Sequence, residues 1–136
     1  MTSHPKDISQ NLLEVIASSK KIEKHLHLPV QSGSDFILKR MNRGYCVADY
    51  KRIVKNAREL IPEISISTDI IVGFPGEEEK DFQQTLKLLA EVRFASIYAF
   101  KYSNRPKAVA SHFEGQVSQK EKERRLKEVL KIAIHP

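Results

Sequence analysis

His25 and His27 flank a leucine in a stretch, Lys24–Gln31, that alternates like a β-strand, so both imidazoles project from one face. Paired histidines on a strand are how barrel hydrolases hold a catalytic metal, and Asp69 on another strand could be a further ligand. A functional metal site takes three or four such groups. No other strand clearly supplies one, so two histidines satisfied by hydrogen bonds in a polar lumen are the more ordinary explanation. A second candidate is the run Ser67-Thr68-Asp69-Ile70-Ile71-Val72-Gly73-Phe74-Pro75-Gly76-Glu77, where an apolar strand meets a glycine turn and then a helix. Such a junction can cradle a phosphate on backbone N–H groups. Against that, Glu77, Glu78 and Glu79 fall in the first helical turn, where they suit the helix and repel an anion. Neither GxGxxG nor GxxxxGK[ST] occurs, so the turn suits a neutral or cationic group, or is simply tight.

Gln31, Ser32 and Ser34 make a polar cluster suited to ribose hydroxyls or an amino-acid group, although Ser34 is also the expected cap of the next helix. Tyr98, Phe100 and Tyr102 share one strand face; core packing is the default, and an aromatic wall for an adenine has the same pattern. Cys46 stands where a helix cap belongs. As the single cysteine it excludes an internal disulfide framework and a cysteine-rich metal site within this chain.

The elements that position these groups follow from periodicity. Helices are expected over 8–18, with Asp7 and Gln10 as a capping box, over 34–41, over a stripe of Tyr50, Ile53, Val54, Ala57, Leu60 and Ile61 ended by Pro62, and over 77–92 with Phe82, Leu86 and Leu89 inward. Strands are expected over 24–31, 64–72 and 96–102. A loop of about fifteen residues then leads to a basic helix opened by Ser118-Gln119-Lys120-Glu121. Alternating strands and helices imply βαβ units and a parallel sheet. On the middle strand Ile64, Ile66, Thr68, Ile70 and Val72 oppose Ser65, Ser67, Asp69 and Ile71. An open doubly wound sheet has two apolar faces. One polar face, with its polar residues gathered toward the strand C-termini, suits a barrel lumen and its active site. Three strands cannot close a barrel, so the expected fold is α/β, part of a TIM-like barrel.

The 136 residues suffice for one domain with a real core, and 40% hydrophobic with 29% charged residues indicates a globular protein. There is no apolar run long enough for a membrane span and no signal peptide, so a cytoplasmic location is expected. The net charge of +6 favours a polyanionic partner, with Arg124 and Arg125 in the basic helix as candidate RNA contacts; a solvated helix face of Glu/Lys pairs is the more ordinary explanation of that helix by itself.

Taken in order, the segments His25–Asp35 (HLHLPVQSGSD), Leu38–Tyr45 (LKRMNRGY), Ser67–Glu77 (STDIIVGFPGE) and Phe100–Pro106 (FKYSNRP) closely resemble the radical S-adenosylmethionine methylthiotransferases. The similarity runs from Thr2 to about Ile132. It is greatest to the tRNA branch that makes 2-methylthio-N6-isopentenyladenosine, with the threonylcarbamoyladenosine branch as runner-up. The resemblance implies a modified TIM barrel using S-adenosylmethionine and 4Fe-4S clusters, with tRNA as partner. The strands read above would be the fourth to sixth of that barrel. Residues 1–117 would be the second half of the radical domain, and 118–136 a basic helix ahead of an RNA-binding β-barrel.

Carried over by position, Gln31 and Ser32 would approach the ribose and methionine parts of the cofactor. Asp69, Ile71 and Gly73 would lie beside its adenine and ribose, and Phe100 with Lys101 would make a further adenine contact. Thr2, Ser3, His4 and Arg105 would border the cavity. The cluster-binding CxxxCxxC loop of the family is not in this chain, so its expected partner is the N-terminal half of the same enzyme, and alone it is expected to be inactive. Lys107-Ala108-Val109-Ala110 departs from the family's usual Gly-Thr-Pro-Ala.

Overall fold

The computed structural model describes residues 4–18, 24–103 and 115–134. A 3-10 turn, Pro5–Asp7, precedes helix α1, Gln10–Ser18, strand β1, His25–His27, and helices α2, Asp35–Arg40, and α3, Val47–Leu60. Strand β2, Ser65–Val72, helix α4, Glu79–Val92, strand β3, Ser96–Lys101, and helix α5, Gln119–Ile134, complete the order. The strands form one parallel sheet in the order β1-β2-β3, as the alternation of elements predicts. The helices bury one face of it. Leu26, Ile66, Ile70, Val72 and Ile97 meet Tyr50, Val54, Ala57, Phe82, Leu89 and Val129 there, in one continuous core.

Three local outcomes differ from the sequence reading. Helix α1 starts at Gln10 rather than Ile8, because the Ser9 hydroxyl accepts the Leu12 N–H at 3.1 Å and acts as the cap. The first strand is three residues, not eight, since Pro29 has no N–H to give the ladder. Its flanking groups are satisfied sideways: the Tyr50 hydroxyl donates to the Leu28 carbonyl at 2.6 Å, Thr68 accepts the Val30 N–H at 3.0 Å, and Tyr45 donates to the Val30 carbonyl at 2.9 Å. Burial pushes the Tyr45 phenol up to about 12 and raises that of Tyr50. Pairing resumes at Gln31, which bridges Ile70 with φ of 76°, one residue out of step with the His27–Ser67 register. The alternation that would align Gln31 with His25 and His27 therefore stops at Pro29.

The third difference is at α4. Glu78 is its cap and Glu77 lies outside it, in the preceding turn. The Ser34 hydroxyl at the α2 cap donates to Asp81 Oδ1 at 2.7 Å, and Asp81 Oδ2 accepts the Glu78 N–H at 2.9 Å. One carboxylate thus ties the first turns of α2 and α4 together. Cys46 caps α3, with Asp49 accepting its N–H at 3.2 Å, as the cap reading expects. Helix α5 packs on β3 and α4. Among the described residues no helix is long and apolar enough to cross a membrane.

Candidate functional site

The second face of the sheet carries no helix among the described residues. Along it, β1 contributes His25 and His27, β2 contributes Ser65, Ser67, Asp69 and Ile71, and β3 contributes Tyr98 and Phe100. Register sets Asp69 beside Tyr98 and Ile71 beside Phe100. The default of core packing for these aromatics is overturned: Tyr98 is 52% and Phe100 55% exposed, because the core lies on the opposite face with Ile97. The polar face also does not gather at the strand C-termini. It begins at the first paired residues, His25 and Ser65.

Hydrogen bonds run along this face. His25 Nδ1 meets Ser65 Oγ at 2.6 Å, and His25 Nε2 meets Ser67 Oγ at 3.1 Å. Ser67 Oγ also meets His27 Nδ1 at 2.6 Å, and His27 Nε2 stands 3.1 Å from Asp69 Oδ1. The Tyr98 ring packs edge-on against His27 at a centroid distance of 5.7 Å. All four imidazole nitrogens are thus engaged within the protein. No group of three or more His, Cys, Asp or Glu side chains that could hold a metal occurs among the described residues. Ser65 and Ser67 escaped the sequence reading as partners of the histidines, although their own spacing of two, on a parallel neighbour, was the available signal.

The other expected residues divide. Gln31 stands beyond β1, at its isolated bridge to Ile70, and its Oε1 is buried without a hydrogen-bond partner, a feature that native structures rarely leave without a role. The Ser32 side chain is fully buried, with its Oγ accepting the Ser34 N–H at 3.1 Å and lying 3.4 Å from Thr85 Oγ1; it braces the turn against α4. Lys101 shares register with Val72 on the helix-covered side and pairs with Glu123 at 3.6 Å. Any contact of Ser32 or Lys101 with a ligand on the open face therefore falls to the backbone. The His4 ring accepts the Lys6 N–H at 3.1 Å and packs edge-on against Tyr45 at 5.3 Å. Thr2, Ser3, Arg105 and the segment Lys107–Ala110 lie outside the described residues.

The glycine turn holds part of its own chain. Gly73 donates its N–H to Glu77 Oε1 at 2.9 Å, and the same oxygen takes Arg125 Nη1 at 2.8 Å. Both ionic side chains are almost fully buried. Desolvation raises the Glu77 pKa, against the lowering effects of the Gly73 N–H and of Arg125. The assignment of Glu77 to the first turn of the helix is thus corrected: its carboxylate folds back to close the turn. Gly73 has φ of +77°, and a Cβ there would sit 2.3 Å from Lys122 Cγ, so the absent side chain makes room for α5. Lys122 Nζ donates to the Tyr102 carbonyl at 3.1 Å, and burial lowers its pKa.

The same helix engages Arg124 and Arg125, the candidate RNA contacts, in ion pairs within the chain. Arg124 is held by Glu79, Glu121 and Glu128, and Arg125 by Glu77 and Glu121. Arg125 is thereby held inside the fold, and a polyanion reaching the exposed Arg124 would compete with its carboxylates.

The exposed aromatic pair, the Asp69 carboxylate and the orphaned Gln31 oxygen are surface and acceptor types that fit an adenosine-containing cofactor. Cys46, at a helix cap, cannot by itself ligate an iron–sulfur cluster.

Comparison with known proteins agrees with the fold. Coproporphyrinogen III oxidase from Escherichia coli, a radical SAM enzyme, superposes with a TM-score of 0.80 at 22% identity, over 98% of this chain and 31% of that one. Streptococcus suis SuiB, solved bound to S-adenosylmethionine, gives 0.63 at 15% identity, over 98% and 30%. In sequence, the chain is 48% identical over 132 residues to the tRNA-2-methylthio-N(6)-dimethylallyladenosine synthase of Pelotomaculum thermopropionicum. It is 52% identical over 125 residues to that of Syntrophobacter fumaroxidans. These alignments take in 97% and 92% of the chain but only 30% and 27% of the relatives. Residues 2–89 match the sequence model of the radical SAM superfamily, and this chain belongs to that superfamily.

Proposed function

We propose that the open face of this sheet is the wall of an S-adenosylmethionine pocket in a tRNA methylthiotransferase of the 2-methylthio-N6-dimethylallyladenosine type. The observation that carries the reading is the pairing of a polar, carboxylate-bearing face with two exposed aromatics on adjacent strands, on a chain about half identical to such synthases. Asp69 is suited to accept hydrogen bonds from ribose hydroxyls, and Ile71 and Phe100 to pack against a purine. Gln31 offers a buried acceptor that a ligand donor would satisfy. Bound there, S-adenosylmethionine would supply the group that a radical enzyme cleaves. The residues of this chain bind and orient it and keep water from its purine. With one cysteine, the chain alone neither assembles a cluster nor turns over.

The pocket is tested by titrating S-adenosylmethionine into the isotopically labelled chain and following backbone amide shifts. Perturbations centred on Gln31, Asp69, Ile71 and Phe100 are expected; perturbations confined to the helical side, or none at millimolar ligand, refute it. The activity is tested with a chimera in which this chain replaces the matching segment of the Pelotomaculum thermopropionicum synthase. Mass spectrometry of digested tRNA should show the 2-methylthio product. A chimera that folds and loads its clusters yet forms no product overturns the reading.

A further inference from the structure

With both imidazoles neutral, the bonds from Ser65 to Asp69 have a single consistent direction. Asp69, as a carboxylate, can only accept, so His27 Nε2 must carry the proton between them. A neutral His27 then has a bare Nδ1, which must accept from Ser67. The Ser67 hydroxyl has one proton and has now used it, so it must accept from His25 Nε2–H. That leaves His25 Nδ1 bare and obliges Ser65 to donate. Every donor points the same way, toward Asp69. At about 3.3 Å per residue, the run spans about 13 Å of β2.

We propose that His25, Ser67 and His27 form a proton relay joining the N-terminal end of the sheet, at Ser65, to the Asp69 carboxylate. Ser65 takes a proton from water, leaving hydroxide to the solvent, as it gives its own to His25 Nδ1. His25 releases its Nε2 proton to Ser67 as Ser67 gives its own to His27 Nδ1, and His27 passes its Nε2 proton to Asp69. One proton enters from solvent, one arrives as the Asp69 carboxylic acid, and each intermediate group ends with the number it started with. The acid formed is a donor to a basic nitrogen or oxygen of whatever occupies the open face. Ser67 is suited to its place because a hydroxyl both gives and takes a proton, and it is 1% exposed, so bulk water does not short-circuit the middle of the run. His25 and Ser67 act through Asp69 and are positioning residues. The relay does not rest on the cofactor reading, and its test needs neither cofactor nor RNA.

Long-range proton–nitrogen correlation on the labelled chain at pH 8 reads the tautomer of each histidine. Both should be single Nε2–H tautomers; an imidazolium or an Nδ1–H form at either position overturns the proposal. Asp69→Ala removes the anchor, and His25, which does not touch residue 69, should then lose its single tautomer. An unchanged His25 overturns the proposal. Ser67→Ala should uncouple the two rings and Ser67→Thr restore them. Ser65→Ala should slow exchange of the His27 Nε2 proton with water several-fold; an unchanged rate shows a static network and overturns the relay.

Discussion

Removing Arg125 tests how the glycine turn is held. In Arg125→Met the Glu77 carboxylate stays buried with only the Gly73 N–H to answer it, at 2.9 Å. Even with Arg125 present, desolvation keeps the Glu77 pKa raised, so its charge is already poorly compensated. Stripping one partner from such a buried pair costs about 3–5 kcal/mol. The substitution also removes the bond from Arg125 Nη1 to the Glu77 carbonyl and the guanidinium packed 5.7 Å from the Phe82 ring centroid. With a urea slope of about 2 kcal/mol per molar for a domain of this size, the midpoint should fall by about 2 M. Glu77→Gln is milder, because an amide oxygen can still accept from Gly73; its cost is about 1–2 kcal/mol. The decisive comparison is Glu77→Leu with Arg125→Met together, which removes both charges and leaves none unpaired. Followed by circular dichroism in urea, the double variant should be less destabilised than the sum of the singles. A single Arg125→Met within about 1 kcal/mol of wild type, or strictly additive singles, refutes the clamp.

Three further outcomes follow from the geometry. Gly33→Ala should destabilise by at least about 2–3 kcal/mol in the same assay, since its Cβ would sit 2.5 Å from the Thr85 Cα and 2.6 Å from the Gln84 carbonyl, both backbone. Tyr98→Ala and Phe100→Ala, exposed on the open face, should each cost under about 1 kcal/mol in urea, while Phe100→Ala abolishes the shifts produced by S-adenosylmethionine. Stability should depend on pH with opposite signs at two carboxylates. Bonding to Arg124 lowers the Glu121 pKa from 4.5 to about 2, so its contribution is complete above 4.5 and is lost as pH falls toward 2. Glu77 has its pKa raised, so its contribution is complete below 4.5 and is lost as pH rises through the raised value. Glu121→Gln should therefore cost more at pH 7 than at pH 3, and Glu77→Gln more at pH 3 than at pH 7, as urea midpoints will show.

The faces of β2 were legible because period-two alternation needs no partner to be read: Ile66, Ile70 and Val72 are buried, and Asp69 opens on the other side, as written in the residues. Helix caps at Ser34, Cys46 and Ser118 were legible for the same local reason. What stayed hidden was long-range. Glu77 and Arg125 are 48 residues apart, and nothing near Glu77 distinguishes it from Glu78 or Glu79, which face outward. Tyr98 and Phe100 have the composition of core residues, and only the sheet's placement reveals which face the helices cover. The expected first strand ran through Pro29, and the one-residue slip that follows it depends on hydroxyls supplied by Tyr45, Tyr50 and Thr68.

These long-range contacts explain how a face with so little packing can be held in shape. Asp69 and Ile71 end in a turn whose amide is closed by Glu77, whose carboxylate is held by Arg125, whose helix lays Lys122 under Gly73. Helix α5 therefore reaches the open face without touching it, through the backbone of the β2–α4 turn. At the other edge, Tyr50 reaches from the core to the Leu28 carbonyl and the Ser32–Thr85 contact braces the chain beyond Gln31. The open face is thus fixed from behind at both sides, which leaves its own side chains free to be chosen for hydrogen bonding rather than for packing. If that division holds, Arg125→Met, despite its distance from the face, should also disturb the amides of Asp69 and Ile71. An Arg125→Met spectrum that changes only around α5 would show that the turn and the face are independent.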